Sequence, residues 1–230
     1  MTVDINKSKM LCSIGAFLIL ISVFTIFFTI FLVGPYVHFS LMFVGAVLML
    51  SGLYGLSSYY HEPVIFKKAL TGTVVIIIGV AIAIILTYIL IMPNFVTMLH
   101  QMYPGWDGNL NSQPNMPPNV NAIDPSQFFK VSYAIITNIT ILFVILFVFV
   151  IIATVFIRQA LIQLREKSNI GMFETAGTLM LVGGGLTIIL IGYAIIWVAI
   201  LLLTIAFFQI KNQEPNTAPC DRHQPTSITT

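Results

Sequence analysis

Few side chains in this sequence have chemistry to offer, and fewer are spaced to combine. The most polar cluster inside an apolar run is Asn138 with Thr137 and Thr140. A carboxamide in hydrocarbon needs a partner. The reading we put first is a hydrogen bond to a neighbouring helix, and the alternative is a contact along a pore or substrate path. Asn138-Ile139-Thr140 also spells a glycosylation sequon, which is discounted inside a membrane helix. His38, His61, His100 and His223 are scattered, and only His38 and His100 fall on one expected side. Metal or haem ligation needs converging ligands with oriented supporting groups, so we expect no metal and no cofactor. Glu62 and Glu174 with Arg158, Arg165 and Lys167 are expected to form a structural ion-pair cluster. There is no nucleophile–base pair, phosphate loop, H-E-x-x-H or paired carboxylate in a membrane segment, so the chain is not expected to be an enzyme.

The elements that would hold these residues follow from composition. Of 230 residues 58% are hydrophobic and only 8% charged, against about 25% charged in soluble domains. No soluble fold hides that much apolar surface. The apolar residues fall in blocks of about 20, the length that crosses roughly 30 Å of hydrocarbon. The expected fold is an all-α bundle of six transmembrane helices, a multi-pass protein of the plasma membrane. Its helices are expected at about 10–33, 37–58, 69–92, 127–157, 171–191 and 193–210. The lipid bilayer is then its first partner. A net charge of +2 without a basic stripe excludes nucleic acid.

Gly34-Pro35-Tyr36 should turn the first helix into the second, and Tyr59 to Lys68 should connect the second to the third, which is expected to stop at Pro93. An outer loop, 93–128, is rich in proline and asparagine. Its middle is expected to be irregular, and its start has the alternative of a short interfacial helix with Phe95, Leu99 and Met102 on one face, capped by Asn94. The fourth helix has no Pro or Gly between Gln127 and Lys167 and is expected to run on past the membrane, ending at Asn169 and Gly171. Thr175 to Ile210 as one helix would be about 54 Å long, so it must break. Gly192-Tyr193 is the preferred break and Gly183-Gly184-Gly185 the rival. With six crossings and a cytoplasmic N-terminus, every Lys and Arg except Lys130 lies inside, as the positive-inside rule asks. Both termini are then cytoplasmic, and the tail, 212–230, is expected to be disordered.

Small residues recur seven apart: Gly15 and Ser22, Gly45 and Gly52, Gly72 and Gly79, Gly177 and Gly184. Seven residues are close to two turns, so each pair lines one side of its helix, and these are the expected helix seams. The first and last hairpins also match weakly, Gly15-Ala16 to Gly177-Thr178 and Leu32-Val33-Gly34 to Leu190-Ile191-Gly192. Duplication and compositional coincidence both remain open there.

Several short stretches carry a resemblance. Residues 55–70 hold Tyr60, Pro63, Ile65 and Phe66. Further on come Leu164, Glu166 and Lys167, then Phe173, Ala176 and Gly177, then Ala206, Phe207 and Phe208. On these, the chain over roughly 10–92 and 129–211 resembles the archaeal membrane-protein family known as domain of unknown function 996. The resemblance implies an archaeal plasma-membrane protein and supplies no activity. With glycine seams and no charge at mid-helix, the expected function is a non-enzymatic scaffold or accessory subunit, as a homo-oligomer or in a larger membrane complex. The alternative is a passive channel or small-solute permease with a path near Asn138.

Overall fold

The computed structural model describes residues 4–29, 35–103, 106, 124–187 and 191–210, and every regular element among them is helical. The expected turn at Gly34, the middle of the outer loop and the tail from 212 lie outside these residues.

Helix α1 (Ile5–Thr29) starts ahead of the expected Met10. Asp4 caps it: its Oδ1 accepts the Asn6 amide at 3.0 Å and its carbonyl accepts Ser8 N–H at 3.2 Å. Helix α2 (Pro35–Tyr59) ends in a Schellman turn. His61 takes a left-handed φ of 53° while Glu62 N–H reaches back to Ser57 O at 3.0 Å.

The expected start of the third helix at Ala69 is corrected. Helix α3 (Pro63–Leu86) begins directly after that turn, because Pro63 has its φ preset and no N–H to satisfy at the first helical position. The expected stop at Pro93 is corrected too. The chain runs from α3 through a π-helical turn, Thr87–Ile91, into α4 (Met92–Met102). Widening the turn absorbs the proline, whose ring and missing N–H would otherwise break the ladder. Asn94 does not cap a new helix, since α4 starts before it and its Nδ2 donates to Leu90 O at 2.7 Å.

Helix α5 (Pro125–Ser168) is continuous over 44 residues, about 66 Å. It ends where Asn169 adopts a left-handed φ of 58°. Its N-cap is Asp124, whose Oδ1 accepts both the amide and the hydroxyl of Ser126 at 2.9 Å. The Ser126 hydroxyl, then the Ser126 amide, hold this carboxyl below its ordinary range. A lowered value means the ionised cap is complete at neutral pH and is lost as pH falls through the lowered value. Asp124→Ala is therefore expected to speed hydrogen exchange of the Ser126 to Phe128 amides at pH 7. It should also abolish the loss of protection expected of the native chain as pH falls through that lowered value. Exchange that is unchanged at pH 7 would mean the cap holds nothing.

The last apolar run breaks nearer the rival site. Helix α6 (Met172–Gly185) stops at the triple glycine, and α7 (Ile191–Phe208) starts before the expected Tyr193. Three consecutive glycines weaken the helix, and Leu186 O accepts Gly192 N–H at 3.2 Å across the turn. The 14 residues of α6 make about 21 Å, shorter than the fifth helix expected at 171–191 and less than the ~30 Å of hydrocarbon. Among the described residues, five helical segments are long and apolar enough to cross a membrane: 5–23, 37–59, 63–102, 125–168 and 191–208.

Each of the six long-axis elements packs on two neighbours in a closed circuit: α2 on α1, α1 on α7, α7 on α6, α6 on α5, α5 on α3, and α3 on α2 beside their shared turn. One end of this circuit, here called the base, carries residue 5, both tight turns (60–62 and 169–171) and residue 210. Lys9 Nζ on α1 donates to Ile210 O at 3.2 Å, which ties the two ends of the described chain together. All the elements of the circuit contribute to one apolar core at the base, including Cys12, Leu56, Ile65, Leu164, Phe173 and Phe207. Away from the base the helices keep apolar side chains outward, among them Phe43, Ile77, Ile84 and Tyr133. An apolar outer surface of this extent faces lipid or another chain.

Candidate functional site

Two places concentrate the described polar groups, the π-helical turn and the base. At the first, Asn138 on α5 donates from Nδ2 to Leu90 O at 3.0 Å, so one carbonyl receives the amides of both Asn94 and Asn138. The reason is local. Leu90 sits in the widened turn that Pro93 forces, where carbonyls diverge from the regular ladder and accept from side chains instead. Asn138 thus joins α5 to the π-helical turn that follows α3. Thr140 is not part of this bond: it is exposed and donates to Ile136 O at 2.9 Å on its own helix. Thr137 is half-buried. Asn138→Leu is expected to lower stability by about 0.6 kcal/mol and at most about 1.7, the range for interhelical hydrogen bonds in membrane proteins. Unfolding in a detergent titration measures it, and a larger loss would mean that Asn138 holds more than this bond.

The small residues sit at close helix contacts. A methyl group on Gly15 would lie 2.5 Å from Met49 N and 2.7 Å from Gly45 O, and one on Gly45 would lie 2.8 Å from Gly15 O. Gly52 faces Cys12 and Ser8 in the same way, so α1 and α2 meet backbone to backbone. Gly72 and Gly79 face Ala153, Ile157 and Phe149 of α5. Gly177 and Gly184 meet Arg158 and Thr154, also on α5, with nothing closer than 3.3 Å. Ser22 is buried, bonding Ile19 O at 2.8 Å, and its own carbonyl accepts from His38 Nδ1 at 2.6 Å. The corresponding glycines of the two similar hairpins therefore face different partners: Gly15 its hairpin mate, Gly177 the helix before it. Gly55, Gly183 and Gly192 form further close contacts that the spacing of seven passes over. Ser8, Cys12 and Gly15, spaced by four and three, would have pointed to the α1–α2 seam.

At the base, Arg165 and Glu174 pair at 2.7 Å and Lys167 and Glu62 at 3.0 Å, fastening α5 to α6 and to the α2–α3 turn. Arg158 stands apart from these pairs, and its Nε is buried without a hydrogen-bond partner. The histidines stay separate: His61 bonds Ser58 O and His100 bonds Val96 O. Around the ion pairs lie the residues that carry the resemblance. Ile65, Leu164, Phe173, Ala176, Ala206 and Phe207 all lie in the one core, with Phe173 and Phe207 ring to ring at 5.2 Å.

A family model described as a protein of unknown function (DUF996) matches residues 41–201. The chain belongs to the DUF996 family. The DUF996 match runs from α2 to the middle of α7, so it takes in the π-helical turn, both ion pairs and most of the core. No curated protein matches the chain, and no solved structure does.

Proposed function

We propose that this DUF996 protein is a non-enzymatic multi-pass protein of the plasma membrane that acts as a scaffold or accessory subunit of a membrane complex. Both termini lie on the cytoplasmic side, and the base faces the cytoplasm. The cations support that orientation: Lys7, Lys9, Lys67, Lys68, Arg165 and Lys167 sit at or near the base, and Lys130 is at the other end of α5. The observation that carries the scaffold reading is the continuous apolar core at the base, to which every helix of the circuit contributes. A permease would need a polar path through that end, and Asn138, the group such a path would use, bonds Leu90 O. The length of α5 adds to the reading. At about 66 Å it exceeds the hydrocarbon thickness twofold, so with α4 alongside it offers surface beyond the bilayer.

Native mass spectrometry of protein extracted gently from its own membrane tests the reading. A discrete particle that includes other chains is the expected result. A lone monomer or a homo-oligomer that conducts solutes into liposomes, and stops when Asn138→Leu is introduced, would replace it with the permease. The orientation has its own test at Cys220 in the tail. An impermeant thiol reagent should label Cys220 in inside-out vesicles and leave it unlabelled in right-side-out ones.

A further inference from the structure

The turn that joins α2 to α3 leaves a cavity of about 420 Å³ on the outside of the base, lined by Tyr54, Ser57, Ser58, His61, Pro63, Phe66 and Lys67. That volume lies within the roughly 300–1,000 Å³ of small-ligand sites. We propose that this cavity binds the phosphodiester headgroup of an anionic phospholipid. The inference rests on the membrane orientation above, which sets the cavity at the cytoplasmic boundary of the bilayer.

Its lining changes character in the way a lipid does. Tyr54 and Phe66 stand edge to face, ring centroids 5.2 Å apart, and make an apolar wall for the glycerol and the first acyl carbons. Lys67, Ser58 and His61 supply the polar side. The charge there is positive because the nearby carboxylate is already used: Glu62 pairs with Lys167 at 3.0 Å. Lys67 has no ion pair among the described residues, whereas its neighbour Lys68 lies over the Phe156 ring at 5.4 Å and is turned to α5. Ser57 Oγ donates to Glu62 O at 2.9 Å, which pins the rim of the cavity. His61 Nδ1 meets the Ser58 carbonyl at 2.9 Å, so that nitrogen carries the hydrogen and fixes the ring. A phosphodiester brings one negative charge and acceptor oxygens, the complement of an unpaired ammonium and a hydroxyl. Basic pockets at the cytoplasmic ends of membrane helices recognise headgroups on this principle.

The test uses the full chain in nanodiscs of phosphatidylcholine with a minor share of phosphatidylglycerol, counting retained lipids by native mass spectrometry. Preferential retention of phosphatidylglycerol is expected, with Lys67→Gln weakening it about fivefold and Lys68→Gln leaving it unchanged. Ser58→Ala, at an exposed position where folding is not at stake, should weaken it as well. Equal retention of the two lipids, or equal loss with Lys67→Gln and Lys68→Gln, would overturn the proposal, the latter by reducing it to general surface charge. Displacement of the lipid by millimolar inorganic phosphate would also overturn it, by making the site one for free phosphate. Failure of the chain to enter nanodiscs at all would refute the membrane reading instead, so the two failures read differently.

Discussion

Phe173→Ala is expected to cost about 3–5 kcal/mol of stability, the largest effect of any single substitution we foresee. Phe173 has no exposed surface, and it is placed where α5, α6 and α7 converge at the base. Truncation would leave a void among Leu164, Ala176 and Phe207, none of which is long or flexible enough to refill it. In lipid this loss is one of packing contacts rather than of transfer from water, because tails are as apolar as the core. The edge-to-face ring contact with Phe207 adds a coupled term of about 0.5–1.5 kcal/mol. A double-mutant cycle with Phe207→Ala measures that term, and strictly additive losses would show that the rings do not act together. Stability within 1 kcal/mol of the native chain would mean that the base is loosely packed.

The second large effect concerns adding atoms. Gly15→Ala and Gly52→Ala are expected to destabilise by about 1–3 kcal/mol or more, because each new methyl meets backbone, which cannot rotate away. Alanine is otherwise the better helix former by about 1 kcal/mol, so the measured sign is decisive. Gly185→Ala is the control: nothing lies within 4 Å of its methyl position, and stability should hold or rise. Gly184→Ala falls between, with the Thr154 methyl at 3.3 Å. Detergent-titrated unfolding ranks the four. If Gly15→Ala behaved as Gly185→Ala does, the backbone contact between α1 and α2 would not be there.

How far these features can be read from sequence depends on what signals them. The existence of long apolar helices was legible because blocks of about 20 apolar residues have one use. The end of α5 was legible too, since Asn169 and Gly171 follow a stretch free of breakers. Pro93 reads as a stop in sequence, because nothing local shows that the side-chain amides of Asn94 and Asn138 serve a carbonyl of the turn it widens. One of those amides, Asn138, is 48 residues further along the chain than Leu90. At the last break the sequence offers Gly192-Tyr193 and Gly183 to Gly185 as rivals, where the structure uses both glycine groups, Gly183 to Gly185 to end α6 and Gly192 to close the turn. Neighbour relations were the least legible of all. Helices that are apolar on every side carry no stripe to say which face meets which partner. Only the small residues gave a direction, and Gly177 shows that even these do not name the partner. Part of the core was visible through Ile65, Leu164, Phe173, Ala176, Ala206 and Phe207 as elements of a resemblance, with nothing in the distances between these stretches to bring them together.

The bond between Lys9 and Ile210 also fixes an order of events. The chain is made from its N-terminus, and 201 residues separate these two partners. At about 5–20 residues per second, α1 waits roughly 10–40 s for the helix that completes its packing. During that interval α1 and α2 can pair through Gly15, Gly45 and Gly52, while the flank of α1 that will receive α7 stays open. A ribosome that stops short of α7 therefore releases a hairpin-paired but unclosed bundle, with its base exposed to whatever quality-control machinery inspects the membrane.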